Sequence, residues 1–136
     1  ADIFIGAAAV ADWRVGAALA EKLKKGASGP PTLGLVENPD ILATVASHAQ
    51  RPRLVVGFAA ETEKVIDHAQ AKLARKKCDL IVANDVSPAT GVMGGDANTV
   101  HLVSTSGVET WPTLPKAEVA QRLVAQLAAR MGEGGA

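Results

Sequence analysis

Apolar runs short enough to be strands alternate with helical stretches along most of the chain. The strand-like runs lie at 2–10, 32–37, 53–60 and 79–84, and the helical stretches lie at 39–50 and 61–77. Strands that alternate with helices form a parallel sheet with helices packed on both faces. The pattern therefore predicts an α/β fold of the Rossmann-like, three-layer kind, with a mostly parallel sheet.

The last third of the chain follows a different pattern. Two short strand patterns, at 98–103 and 108–111, flank the turn at 105–107, where Gly107 supplies the positive φ that a hairpin requires. A final helix is predicted from about residue 115 to 131, because apolar side chains recur there at helical spacing. Those side chains are Val119, Leu123, Val124 and Leu127. A C-terminal β-hairpin and a core-facing helix thus complete the predicted fold.

The chain opens directly into a strand of the kind found at the centre of a sheet. A complete doubly wound sheet begins with a strand, a glycine-rich turn and a helix before such a strand. We therefore expect the chain to lack the N-terminal βα unit of its fold. Residues 1–136 are otherwise predicted to form a single domain.

Composition narrows the classes of function. The 14 basic and 14 acidic residues give a formal net charge of zero, so no overall field attracts nucleic acid or an anionic membrane. No apolar run reaches the roughly 20 residues of a transmembrane helix. The lone Cys78 excludes an internal disulfide, is expected in the core and fits a reducing compartment. A soluble cytoplasmic protein is the expectation.

Several motifs of enzyme chemistry do not occur in the sequence. His48, His68 and His101 lack the spacing of a metal site, and no arrangement of Ser, His and Asp suggests a hydrolase. Neither GxGxxG nor GxxxxGK(S/T) is found, which counts against a dinucleotide oxidoreductase and a P-loop enzyme. The expected missing N-terminal unit could contain a glycine-rich turn, which would weaken the case against a dinucleotide oxidoreductase.

The first strand pattern ends in small residues that lead to an acid. Gly6, Ala7 and Ala8 are followed by Asp12, at the strand end where open α/β sheets bind ligands. Small side chains let a base or a phosphate approach the backbone, and the carboxylate could hold a ribose hydroxyl or a cation. A tightly packed central strand followed by a surface aspartate would have the same sequence. A ligand site and ordinary packing therefore both stay open.

Two groups of lysines are candidate nucleotide contacts. Lys22 lies in the basic run EKLKK, just before a Gly- and Ser-rich segment that could close over a triphosphate. Lys72 and Lys76 are one helical turn apart and point the same way. Lysines on a solvent-exposed helix face would give the same sequence pattern, so a structural interpretation stays open for both groups.

Other candidate residues lie at predicted helix and strand ends. Asn38, Pro39 and Asp40 read as the N-cap, the first helical position and the first turn of a helix. The free N–H groups there can receive an anion, although capping alone explains the letters. Phe58 could lie beside a base or in the core. The polar strand end at 84–87 could line a site or form an ordinary turn.

Five short motifs occur in a recognisable order. They are AAVADW at 8–13, EKLKK at 21–25, NPDIL at 38–42, VGFAAET at 56–62 and ANDVS at 83–87. Together they resemble the ligase domain of bacterial phosphopantothenoylcysteine decarboxylase/phosphopantothenate-cysteine ligase, over nearly the whole chain. No single motif is specific, but the five in this order are.

The resemblance implies a two-step ligation in coenzyme A synthesis. The carboxylate of 4'-phosphopantothenate attacks the α-phosphorus of CTP, which releases pyrophosphate and forms an acyl-cytidylate, and the amine of L-cysteine then displaces CMP. The resemblance also implies Mg²⁺ with the triphosphate, a homodimer, and a flavin-dependent decarboxylase domain fused to or assembled with the ligase. It assigns no metal-ligating residue.

The resemblance also assigns contacts residue by residue. Lys22 matches the catalytic flap lysine near the triphosphate. The nucleotide contacts that it implies besides Lys22 are Gly6, Ala7, Ala8, Asp12, Pro39, Asp40, Ile41, Leu42, Phe58, Lys72 and Lys76. Two other classes stay open: an NAD(P)-binding Rossmann oxidoreductase, and a non-catalytic dimerisation or nucleotide-binding fragment.

Overall fold

A computed structural model of the chain describes residues 1–7, 10–16, 32–87 and 96–133. The chain divides into two compact units, one formed by Ala1–Ala7 with Ile41–Ala136 and the other by Ala8–Asp40. Ala8, Lys22 and the glycine-rich loop predicted up to Gly95 lie outside the described residues. The expectation of one domain over 1–136 stays a prediction.

The described ranges contain short strands and three helices. The strands are β1 (Ile3–Gly6), β2 (Trp13–Val15), β3 (Leu35–Glu37), β4 (Leu54–Glu61), β5 (Leu80–Asp85), β6 (Ala97–Ser104), β7 (Gly107–Thr110) and β8 (Leu114–Pro115). The helices are α1 (Ile41–Ser47), α2 (Val65–Lys76) and α3 (Lys116–Glu133).

A six-stranded sheet forms the first unit. Its order is β1-β4-β5-β6-β7, and β8 pairs with β6 outside that path. β1, β4 and β5 run parallel, β6 is antiparallel to β5, and β6 and β7 form the predicted hairpin. Gly107 in its turn has a φ of 141°, as the turn chemistry predicted. The α/β class with a parallel centre and a C-terminal hairpin is confirmed.

Helices cover both faces of this sheet and give it three layers. One face packs under α1 and α2, where Val55, Ile81 and Val103 are fully buried. The other packs under α3, where Val82 and Trp111 are 1% exposed. Parallel strands covered on both sides carry continuous apolar runs. That is why the three parallel strands were visible in the sequence as unbroken apolar segments.

The apolar spacing in α3 predicts its buried face correctly, with one exception. Val119, Leu123 and Leu127 recur every fourth residue and are buried as predicted. The predicted core position of Val124 is wrong, because its side chain is 62% exposed. One residue beyond Leu123 is a rotation of about 100° around the helix, which turns Val124 away from the buried stripe. No helix in the described ranges, α3 included, is both long and apolar enough to cross a membrane.

Several predicted element boundaries are wrong by a few residues. β1 ends at Gly6, and the first helix is confined to Ile41–Ser47. The helix expected from Glu61 begins at Val65 instead, because β4 continues through Glu61. The Glu61 carbonyl accepts the N–H of Val86 at 2.9 Å, so pairing with the segment after β5 keeps it extended.

The strand predicted at 32–37 does not join the parallel sheet. It is reduced to β3, which pairs antiparallel with β2 in a separate two-stranded sheet of the second unit. Trp13 lies opposite Glu37 in that sheet, and Val15 lies opposite Leu35. A strand of three residues such as β2 is too short to show an alternating pattern, so the sequence did not predict it.

Candidate functional site

The carboxyl edge of the parallel strands has a step. β1 pairs with β4 as far as Gly6, which lies opposite Gly57. β4 and β5 stay paired beyond that point, up to Glu61 and Asp85. Past Gly57, therefore, β4 has a described strand on its β5 side and none on its β1 side. We call this place the step, and it lies at the sheet edge where open α/β folds bind ligands.

The carbonyl of Phe58 is directed to the side of β4 on which β1 lies. The Glu61 carbonyl is directed to the β5 side, where it accepts the Val86 N–H. Carbonyls alternate in direction along a strand, so the Phe58 carbonyl, three residues earlier, points the other way. It accepts a hydrogen bond from Nζ of Lys72 at 2.7 Å. This bond joins α2 to the carboxyl end of β4.

Lys72 reaches from α2 to β4, and Lys76 lies one turn further along the same helix. Both side chains are half-buried, and their spacing of one turn puts them on the same side of the helix. An ammonium carries three donor protons, so the bond to Phe58 leaves two for other acceptors. The structure therefore places the charge of Lys72 at the step.

The ring of Phe58 and the amide of Asn84 lie on the opposite, α3 face of the step. Phe58 is half-buried and packs against the cluster under α3, so it is partly a core residue. Asn84 pairs with Ala60, two residues beyond Phe58, and therefore shares its face. Asn84 Oδ1 is buried and has no hydrogen-bond partner among the described residues. Since buried polar atoms are nearly always bonded, this acceptor is suited to a ligand donor.

Acidic side chains lie at the same edge on the α2 face. Glu61 Oε2 is 3.1 Å from His68 Nδ1. Asp85 accepts the N–H of Ser87 at 2.9 Å. Hydrogen bonds from Ser87, helped by the nearby His101, hold the pKa of Asp85 below its ordinary value. The turn interpretation of 84–87 thus holds for Asp85 and Ser87. The other interpretation, a strand end that lines a site, stays a prediction for Asn84, whose Oδ1 has no partner among the described residues.

Leu42, an expected nucleotide contact, packs on the strand next to the step. A Cβ placed on Gly57 would lie 2.5 Å from Leu42 Cδ2 and 2.9 Å from Ile81 Cδ1. Glycine therefore lets α1 sit directly on β4, one residue before Phe58. Ile41, at the start of α1, is 48% exposed.

Asp12 lies beside the segment 38–40 within the second unit. Its carbonyl accepts the N–H of Asn38 at 2.7 Å. The side-chain amide of Asn38 donates to the carbonyl of Ala11 at 2.7 Å and accepts from Arg14 Nη1 at 3.0 Å. These bonds hold Asp12 next to the start of the NPDIL motif, so two of the expected nucleotide-contact segments meet here.

The predicted helix start at 38–40 is wrong in detail. Asn38 is not an N-cap, because α1 begins three residues later at Ile41 and the Asn38 side chain bonds elsewhere. Pro39 and Asp40, expected in the first turn, precede the helix and are exposed. The motif does mark the beginning of a helix. The hydrogen bonds of Asn38 to Ala11 and Arg14 hold its side chain away from α1, so the helix begins three residues later than predicted.

No metal centre is visible in the described parts of the chain. No group of three or more His, Cys, Asp or Glu side chains there is arranged to hold a metal ion. Cys78 is buried as expected, and burial raises the pKa of its thiol. A thiol in that state is protonated at neutral pH and inert, so Cys78 is a core residue.

Known proteins resemble this chain along most of its length. The family model described as the DNA/pantothenate metabolism flavoprotein C-terminal domain matches residues 1–131. Coenzyme A biosynthesis bifunctional protein CoaBC of Escherichia coli (strain K12) is 42% identical over 134 residues, which are 97% of this chain and 33% of that protein. CoaBC of Mycobacterium tuberculosis (strain H37Rv) is 44% identical over 119 residues, 81% of this chain and 28% of that protein. The chain spans about a third of the length of these curated relatives.

Solved structures resemble the fold as well. The crystal structure of the C-terminal domain of CoaBC superposes with a TM-score of 0.69 at 32% identity, covering 97% of this chain and 58% of that one. A DNA/pantothenate metabolism flavoprotein from Streptococcus pneumoniae gives a TM-score of 0.55 at 24% identity over 72% of this chain and 43% of its own. The second likeness supports the fold alone.

Proposed function

This chain belongs to the DNA/pantothenate metabolism flavoprotein C-terminal domain family, and we propose that it is the nucleotide-binding part of a phosphopantothenate-cysteine ligase of coenzyme A biosynthesis. In the proposed reaction the carboxylate of 4'-phosphopantothenate attacks the α-phosphorus of CTP and expels pyrophosphate. The amine of L-cysteine then attacks the acyl-cytidylate carbonyl, forms the amide and releases CMP.

The observation that carries the proposal is the ammonium of Lys72 at the step. A ligand at this edge would meet that cation from one face of the sheet, and the Phe58 ring and the Asn84 amide oxygen from the other. A nucleotide has a matching part for each: phosphates for the ammonium, a planar base for the ring, and amino or hydroxyl donors for the amide oxygen. Gly6, the last residue of β1, and Ala7 after it are proposed to contact the nucleotide through their backbone.

The chemistry needs no side-chain nucleophile. Attack of a carboxylate on a phosphorus atom depends on orientation and on neutralising the charge that develops at the phosphates. Lys72 and Lys76 are proposed to supply part of that charge, together with the flap residue Lys22. Mg²⁺ bound to the triphosphate would supply the rest, and its ligands would be mainly phosphate oxygens and water.

The remaining expectations belong to the same proposal. Ala8, Asp12, Pro39, Asp40, Ile41 and Leu42 stay proposed nucleotide contacts. The relatives are bifunctional proteins by name, which supports a fused or associated flavin-dependent decarboxylase domain. A homodimer and a cytoplasmic location follow from the resemblance. No observation favours an NAD(P)-dependent oxidoreductase, and the experiment below separates catalysis from binding without catalysis.

Isotope transfer tests the reaction directly. The chain is incubated with CTP, Mg²⁺, L-cysteine and 4'-phosphopantothenate carrying ¹⁸O in its carboxylate. Because the acyl-cytidylate shares one carboxylate oxygen with phosphorus, the account predicts that ¹⁸O appears in CMP. Pyrophosphate release that does not require 4'-phosphopantothenate, or CMP without the label, contradicts the proposed chemistry. Nucleotide binding without turnover would identify a binding fragment.

A further inference from the structure

We propose that His68, held by Glu61, is the general base for the second step of the proposed reaction, in which the amine of L-cysteine attacks the acyl-cytidylate. The inference rests on the proposed function for its substrates. It starts from a histidine–carboxylate pair that the proposed function does not use, in which Nδ1 of His68 lies 3.1 Å from Oε2 of Glu61.

The pair fixes which ring nitrogen of His68 can take up a proton. A neutral imidazole carries its proton on one nitrogen, and a hydrogen bond to a carboxylate keeps that proton on the bonded nitrogen. Nδ1 therefore donates to Glu61, and Nε2 is the basic nitrogen. A carboxylate that orients a histidine in this way prepares it to act as a base. The His68 side chain is 46% exposed, so water can carry a proton away from it.

The helix α2 places this histidine next to a cation that is proposed to hold phosphate. His68 and Lys72 are four residues apart, so they are neighbours on one side of α2 with about 5–6 Å between their Cβ atoms. The bond from Lys72 to the Phe58 carbonyl puts the ammonium near the carboxyl end of β4, and Glu61 is the last residue of that strand. The pair and the ammonium therefore lie at the same edge of the sheet.

The chemistry of the acyl-cytidylate calls for a base in this place. Its acyl carbon is joined to phosphorus through a single oxygen atom. A phosphate held by Lys72 thus leaves that carbon, and the amine that attacks it, within reach of a side chain one helical turn away. The amine of L-cysteine is largely protonated at neutral pH. It must lose one proton before it attacks and a second as the amide forms.

In the proposed step the amine nitrogen bonds to the acyl carbon, the bond from that carbon to the phosphate oxygen breaks, and CMP leaves with the electron pair. Both protons pass in turn to Nε2 of His68 and from there to water. The first step is the attack of a carboxylate on phosphorus, and a carboxylate at neutral pH has no proton to lose. His68 should therefore affect the second step alone, whereas loss of a merely structural ion pair would not separate the two steps.

The two steps are measured separately in His68→Gln, whose side chain cannot act as a base. A burst of pyrophosphate from CTP, Mg²⁺ and 4'-phosphopantothenate without L-cysteine reports the first step. Transfer to L-cysteine reports the second, and so does transfer to hydroxylamine, whose nitrogen is already unprotonated at neutral pH. The burst and the hydroxylamine transfer should match the wild type. Transfer to L-cysteine should fall on the order of 100-fold at pH 7 and recover in part at pH 9.

His48→Gln is the matched control, because His48 lies between α1 and the amino end of β4. It should match the wild type in all three assays. Equal losses in both steps of His68→Gln, or an unchanged rate with L-cysteine, overturn the role as a base. A wild type that gives no pyrophosphate burst contradicts the proposed function instead.

A ligand-free measurement tests the histidine–carboxylate pair by itself. The chain has three histidines, and the imidazole ¹⁵N signals of His68 are those missing from His68→Gln. Neutral His68 should carry its proton on Nδ1 and leave Nε2 unprotonated. Glu61→Met removes the carboxylate and should abolish that preference. A neutral His68 that is protonated on Nε2 refutes the proposal, whether or not the chain catalyses either step.

Discussion

Gly57→Ala tests the packing that supports the step. The added Cβ would lie 2.5 Å from Leu42 Cδ2 and 2.9 Å from Ile81 Cδ1. Both distances are much shorter than a van der Waals contact between carbon atoms, so neighbouring atoms would have to move. Overpacking of this kind costs about 1–3 kcal/mol, against which the lower entropy of the unfolded chain returns roughly 0.5 kcal/mol. The net cost of about 0.5–2.5 kcal/mol should lower the midpoint of thermal unfolding by roughly 2–10 °C for a chain of this size.

The assay is a double-mutant cycle read by urea and thermal unfolding. Leu42→Ala removes the nearer of the two clashing groups, so in that background the cost of Gly57→Ala should drop by about half or more, and contact with Ile81 would account for the remainder. Gly132→Ala is the matched control, because nothing lies within 4 Å of a Cβ placed there. Equal costs of Gly57→Ala in both backgrounds would refute the packing argument.

Three further predictions concern single side chains. Asn84→Ala should leave the free energy of unfolding nearly unchanged, because Oδ1 makes no hydrogen bond among the described residues. The same variant should bind CTP more weakly by calorimetry, and an unaltered affinity would show that Asn84 is not part of the site. The pKa of Asp85 is lowered in the folded chain, so its stabilising effect relative to Asp85→Asn should be complete above the unfolded pKa of about 3.9 and fade as the pH falls through the lower folded value. Urea unfolding between pH 2 and 6 measures this, and a difference independent of pH would contradict it. Lys22→Gln should sharply lower CTP-dependent pyrophosphate release without lowering the unfolding midpoint, and unchanged turnover would refute the flap role.

The sequence predicted what depends on repetition along the chain. β4 and β5 appeared as unbroken apolar runs because helices cover both of their faces. The hairpin was visible because Gly107 provides a backbone conformation that other residues rarely adopt. The same reasoning placed Phe58 at the carboxyl end of its strand, whereas only the resemblance assigned Lys72 to the nucleotide.

What the sequence did not predict depends on partners distant in the chain. The role of Asn38 is set by Ala11 and Arg14, which lie 27 and 24 residues away, so its cap-like letters were misleading. The bond between Lys72 and the Phe58 carbonyl arises where β1 stops short of β4, and no local pattern encodes the point at which a neighbouring strand ends.

The central claim is that this chain binds CTP, and a comparison of thermal unfolding with different ligands tests it most directly. A ligand that binds the folded state alone adds about 2.7 kcal/mol at 100 times its dissociation constant. In a chain of this size that is a rise of roughly 8–12 °C in the unfolding midpoint. The account predicts such a rise with CTP and Mg²⁺, a smaller one with ATP and none with NAD. A rise with NAD and none with CTP would contradict it.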